Sequence, residues 1–114
     1  MVVTVDPIEE HGPDAGATAQ ARRVSSRTGG RWCHLMVDAG DDLESLHEFA
    51  ARLGLKRSWA QLHSRVFPHY DLTPSKRALA VRLGAVEVGA LEQARRAWRG
   101  SGENPIPVEQ GVLP

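Results

Sequence analysis

From Arg31 to Asp38 the chain reads RWCHLMVD. Alternation puts Trp32, His34, Met36 and Asp38 on one face and Cys33, Leu35 and Val37 on the other. Both faces are mostly apolar, which predicts a strand covered on two sides. A few residues later the period changes. Leu43, Leu46, Ala50 and Leu53 recur at spacings of three, four and three, with Phe49 alongside, which predicts a helix with one buried stripe. Asp41 or Asp42 can cap its start, Glu44 follows Asp41 by three as in a capping box, and Gly54 closes it.

The remaining elements are shorter. Val2 to Asp6 reads as a first strand, ended by Asp6-Pro7. His69 to Leu72 is extended and leads into Thr73-Pro74, a cap followed by a proline suited to the first helical turn. That helix passes through Leu79 and Leu83 and stops at Gly84; Ala85 to Val88 is a further strand. A last helix spans about Ala90 to Arg99, with Leu91, Ala94 and Trp98 as its expected stripe. Alternating strands and helices predict an α/β fold: a small single-layer, largely parallel sheet of three to four short strands with about three helices. Residues 1–99 would form one domain and 100–114 a Gly/Pro-rich tail.

Composition narrows the classes. The 114 residues carry 14 basic and 14 acidic side chains, so the net charge is zero with histidines neutral. Balance disfavours a basic coat protein or an acidic tail. The sum hides a polarity, because residues 1–50 hold nine acids and four bases and residues 51–114 hold five acids and ten bases. The two halves either present opposite faces or neutralise each other across the fold. Cys33 is the sole cysteine, which excludes an internal disulfide and a cysteine-built zinc site. No run approaches a membrane span, and the first residues do not resemble a secretory leader. A cytoplasmic protein is expected. Residues 12–31 have Val24 as their only large aliphatic side chain and four arginines, so a mobile loop is expected there, or one ordered by a partner.

Candidate chemistry gathers at strand ends. In a largely parallel sheet the carboxyl ends of the strands make the functional edge, and Asp6, Asp38 and Asp71 all fall at such ends. His69 and Asp71 stand two apart on an extended segment, so their side chains share a face and can pair or share a metal; a purely structural His and a capping Asp are the alternative. His34 and Asp38 would lie about 13 Å apart on a strand, too far for one ion. His34 joined to His69, with Asp6 or Asp38, makes a mixed His/carboxylate shell of the kind divalent metals accept. The turn Thr73-Pro-Ser-Lys-Arg77 offers free amides, the hydroxyls of Thr73 and Ser75, and the cations Lys76 and Arg77 against the helix dipole, a setting for phosphate. Lys56, Arg57 and Arg65 around Trp59 suit single-stranded nucleic acid, unless Trp59 completes the core. His47, on the edge of the helical stripe, reads as a packed residue, Cys33 as core, and His11 and His63 carry little signal.

The blocks WCHLMVD, LHEFAARLGLKRSW and HYDLTPSKRALAVRLGAVEV, with the opening TVDPIEEHG, resemble domain-of-unknown-function family 4031, small proteins of bacteria and bacteriophages. The resemblance spans residues 4–12 and 31–88, and the connection at 12–31 is longer than the family's usual one. It implies boundaries and motif blocks, and no activity.

Two functions follow from the residues. One is a hydrolase or transferase on a phosphate-containing ligand, nucleotide or nucleic acid, with a divalent metal. There His34, His69 and Asp71 act in catalysis, Asp6 and Asp38 join His34 and His69 around the ion, and Thr73, Ser75, Lys76, Arg77, Lys56 and Arg57 bind the ligand. The other is a non-catalytic module binding nucleic acid or protein through the basic second half. The last helix, with Arg95, Arg96 and Arg99 beside Trp98, serves there as a core seam or as a homodimer contact.

Overall fold

The computed structural model describes residues 1–10, 29–62 and 66–107. The expectations for the loop at 12–31, for His11, His63 and Arg65, and for the end of the tail fall wholly or largely outside them. Five strands lie among the described residues: β1 (Val3–Val5), β2 (Glu9–Glu10), β3 (Arg31–Val37), β4 (Tyr70–Leu72) and β5 (Val86–Glu87). The helices are α1 (Leu43–Arg52), α2 (Pro74–Arg82) and α3 (Ala90–Ala97), with a 3₁₀ turn at Arg57–Trp59. No helix among the described residues is long and apolar enough to cross a membrane.

Local chemistry sets the helix ends. Asp42, rather than Asp41, caps α1, its Oδ1 accepting the Ser45 amide at 2.9 Å. Glu44 does not close a capping box; its Oε1 accepts from Arg57 Nη1 at 3.1 Å. Gly54 follows α1 with φ +82°, a backbone that a β-carbon would strain. Thr73 caps α2 through Oγ1, which accepts the Lys76 amide at 3.3 Å, and Pro74 fills the first position.

The sheet is mixed and has five strands, which corrects the expectation of a smaller, largely parallel one. β3 runs antiparallel to β1, β2 and β4, and β1 and β5 are the parallel pair among the described residues. The physical reason lies in the connections. The chain between β1 and β3 returns it antiparallel, and α1 with the 3₁₀ turn brings it back antiparallel along β3 as β4. The β4–α2–β5 stretch then carries the chain across to β5, which pairs in parallel with β1. One consequence is decisive for the strand ends. Val5 pairs with Leu35 and Val3 with Val37, so Asp6 and Asp38 lie at opposite ends of the β1–β3 pair instead of on one rim.

Nor is the architecture a single layer. Val3, Val5, Cys33, Leu35, Val37, Tyr70 and Leu72 point to one face, where Leu46, Phe49, Ala50 and Leu53 of α1 and Ala80 of α2 bury them. Thr4, Trp32, His34, Met36 and Asp71 belong to the other face by alternation. There α3 is the covering element, held by Gln93, whose Nε2 donates to Thr4 O at 3.1 Å and His34 O at 3.0 Å. The buried stripe of α3 is Gln93 with Ala97, not Leu91, Ala94 and Trp98; Leu91 is 47% exposed. After α3 the chain folds back, Asn104 Nδ2 donating to Arg95 O at 2.8 Å.

Candidate metal centre

The site forms where the β1–β3 ladder breaks. The pairs Val5–Leu35 and Glu9–Trp32 are four residues apart on one strand and three on the other, so Asp6-Pro7-Ile8 contains a one-residue bulge. Asp38 N donates to Val2 O at 3.1 Å, and by the alternation of an antiparallel ladder Asp6 and His34 would be a hydrogen-bonded pair two steps further on. Side chains take over those groups instead. Asp6 Oδ1 accepts the His34 amide at 2.7 Å, Arg77 Nε donates to Asp6 O at 2.8 Å, and Gln93 reaches His34 O.

Asp6 also fixes the His34 ring. Its Oδ2 lies 3.0 Å from His34 Nδ1, and its side chain is almost wholly buried. A carboxylate partner requires the proton on Nδ1, which leaves the lone pair of a neutral ring on Nε2. Burial alone would lower the His34 pKa, but the hydrogen bond and charge of Asp6, helped by Asp71 and Glu9, outweigh it and raise the pKa.

β4 brings the other two groups. Asp71 is the cross-strand partner of His34, and His69, two residues earlier, falls on the same face. His69 Nδ1 donates to Phe67 O at 2.9 Å, so a neutral His69 also has its lone pair on Nε2. That Nε2 lies 3.5 Å from Asp71 Oδ1. The opposite oxygen, Asp71 Oδ2, accepts from Gln61 Nε2. Gln61 is itself held beside His69 by paired backbone bonds, Gln61 N to His69 O at 2.7 Å and the reverse at 3.3 Å. The rings of His34 and His69 meet edge to face with centroids 5.1 Å apart. One ligand atom from each of His34, His69 and Asp71 lies within 4.8 Å of the others. Beside them, between α3 and the sheet, opens a cavity of about 330 Å³ lined by Asp6, His34, Met36, Phe67, His69, Ala90, Gln93 and Ala94.

The geometry suits one ion. Two ligands about 2.1 Å from a tetrahedral metal lie roughly 3.4 Å apart, close to the His69–Asp71 distance. At 3.5 Å that contact is long for a hydrogen bond. All three ligand atoms lie within 4.8 Å of one another, so an ion shared by them would require any pair wider than about 3.4 Å to draw together.

The other predicted residues lie elsewhere. Asp38 is in a two-point ion pair with Arg96, at 3.0 and 2.9 Å, at the far end of β3. Asp6 stands behind His34 and is not one of the three clustered groups. Lys76 Nζ donates to Leu53 O, the C-cap carbonyl of α1, at 2.6 Å, and Arg77 Nη1 donates to Glu87 at 3.0 Å. Protein acceptors thus account for two cations at a helix start, without an anionic ligand. Thr73 and Ser75 exchange a hydroxyl bond at 3.2 Å. Arg57 pairs with Glu44, and Lys56 lies 5.6 Å from the Trp59 ring. None of Thr73, Ser75, Lys76, Arg77, Lys56 and Arg57 is among the described residues lining the cavity. His47 is packed, its Nδ1 2.6 Å from Tyr70 Oη, and burial lowers its pKa. Cys33 is fully buried, and desolvation foremost, with the charge of Asp6, pushes its thiol up to about 12.

Gln61, Gln93 and the Phe67 carbonyl escaped sequence reasoning. Only Gln93 left a trace, as the polar member of Ala90, Gln93, Ala94 and Ala97, a helical stripe of otherwise small residues.

The family model for proteins of unknown function 4031 matches residues 19–99. The chain belongs to this family. The match covers β3, β4, all three helices and the whole His34–His69–Asp71 cluster, whereas Asp6 precedes it. No curated protein and no solved structure matches the chain.

Proposed function

We propose that this family member is a metal-dependent hydrolase or transferase acting on a phosphate ester, with His34, His69 and Asp71 holding one divalent ion. The observation that carries this reading is the convergence of the three groups with both imidazoles anchored through Nδ1, on Asp6 and on the Phe67 carbonyl. Catalytic metal sites are built this way: three protein ligands leave a position open, and acceptors behind the histidines fix tautomer and ring. Two imidazoles and a carboxylate suit zinc first, with iron or manganese as competitors. A bound ion would polarise a phosphoryl oxygen and ease deprotonation of water. In hydrolysis the water oxygen bonds to phosphorus, the ester P–O bond breaks, and the leaving oxygen takes the released proton. Since Lys76 and Arg77 have protein partners, the ion itself would be the main anchor for phosphate.

A module that binds nucleic acid or protein without catalysis has less support. Lys56, Arg57 and Arg96, which it would use, face Trp59, Glu44 and Asp38. A homodimer through α3 rests on Leu91, the large exposed apolar residue of that helix. A sole, buried cysteine is compatible with the cytoplasm.

The test is turnover of a chromogenic phosphate ester by protein stripped with a chelator and then reloaded with zinc or manganese. Activity should return only with metal, and His69→Ala and Asp71→Asn should lower it by about 100-fold or more. Metal-independent turnover, or turnover indifferent to both substitutions, would refute the proposal.

A further inference from the structure

The cavity beside the cluster has a charge character that restricts what can enter it. Met36, Phe67, Ala90 and Ala94 give it apolar walls, and its polar lining is Asp6, His34, His69 and Gln93. No lysine or arginine lines it among the described residues. Gln93 contributes no charge, and its amide is fixed by two backbone carbonyls. The Arg77 guanidinium, which reaches Asp6 from α2, is turned to Asp6 O and Glu87.

Charge then decides between classes of ester. A divalent ion on the cluster brings two positive charges, and the carboxylates of Asp6 and Asp71, both buried, bring two negative ones. The loaded site is close to neutral before any substrate arrives. A phosphomonoester adds nearly two negative charges at neutral pH and a nucleoside triphosphate more, against two buried carboxylates beside mostly apolar walls. A phosphodiester adds one, and its second ester arm is uncharged. That arm matches apolar walls, and its phosphoryl oxygen reaches the ion.

The geometry points to a phosphodiester as the substrate class, its uncharged organic arm seated in the cavity between Met36 and Phe67 on one side and Ala90 and Ala94 on α3. The inference rests on the metal site proposed above. Water adds to phosphorus, one P–O ester bond breaks, and the products are a phosphomonoester and an alcohol that takes the proton.

The test uses the zinc-loaded full chain with two probes, bis(4-nitrophenyl) phosphate and 4-nitrophenyl phosphate. The diester should be hydrolysed with kcat/KM roughly tenfold or more above the monoester. Ala94→Leu, which adds bulk to the cavity wall on α3 and replaces none of His34, His69 and Asp71, should lower diester turnover by about tenfold or more while zinc stoichiometry stays unchanged. Ala90→Leu serves as a second filling variant if Ala94→Leu fails to fold. A chain that binds no zinc would remove the metal reading and this inference with it. Bound zinc with equal or greater monoester turnover, with no turnover of either probe, or with filled variants as active as the parent, would overturn the diester assignment and leave the metal site standing.

Discussion

At the residue scale, Asp6 sets the orientation of His34. Its carboxylate meets both the amide and the Nδ1 of His34, so replacing it by asparagine is more than loss of charge. The amide oxygen must stay on the His34 N–H, which turns the Nδ2 hydrogens toward Nδ1 and drives the ring proton to Nε2. Asp6→Asn should therefore weaken zinc affinity by roughly 10–100-fold, measured by competition with a chelating dye. Unchanged affinity would mean that Asp6 does not orient a ligand. The pH behaviour of His34 gives a second check. Its folded pKa is raised, so in the metal-free protein its contribution to stability is fully present below the unfolded value of about 6.5 and lost as pH rises through the folded one. A bound ion needs His34 deprotonated, so the stabilisation that zinc confers should instead grow over the same interval. Melting curves from about pH 5.5 to 8.5 should show the zinc-induced rise in Tm increasing with pH; a rise that shrinks with pH contradicts ligation by His34. The pairing of His69 with Asp71 was legible, because alternation on an extended segment puts residues two apart on one face. The role of Asp6 was not, because a one-residue bulge depends on the register of two distant strands, and the sequence around Asp6-Pro7 shows only that a strand ends there.

At the scale of elements, α3 holds the second face of the sheet through one buried amide. Gln93→Leu keeps the bulk and removes the buried amide that donates to the His34 and Thr4 carbonyls. Urea unfolding should show a loss of about 1–3 kcal/mol, the usual cost of an unsatisfied buried polar group. A neutral substitution would mean that α3 is held by apolar contact alone. Helix positions followed from the sequence because caps and stops are local: Asp42, Gly54, Thr73-Pro74 and Gly84 sit at or beside the ends they imply. Strand direction did not. The general preference for parallel βαβ crossovers favoured a parallel sheet, while β3 takes antiparallel neighbours in β1, β2 and β4. The same error misplaced Asp38, since reversing one strand moves its carboxyl end to the opposite edge. On α3 the larger side chains Leu91 and Trp98 drew the expected stripe, yet small residues and a glutamine make the contact because a cavity lies there.

At the scale of the whole molecule, described acidic groups of the first half pair with described basic groups of the second. Asp38 pairs with Arg96, Glu44 with Arg57, and Arg99 Nη2 donates to the carbonyls of Asp38 and Asp41 at 2.9 and 2.5 Å. Of the two possibilities left open by composition, neutralisation across the fold is thus the one seen in these pairs. Among the described residues the histidine cluster gathers polar groups beside an open cavity. The most direct test is titration of cobalt(II), as a spectroscopic stand-in for zinc, into the metal-free protein. One ion per chain should bind, with the visible absorption of a four- or five-coordinate site, and His34→Ala, His69→Ala and Asp71→Asn should each abolish it in chains that still melt cooperatively. No bound cobalt, or binding that survives all three substitutions, would contradict the account.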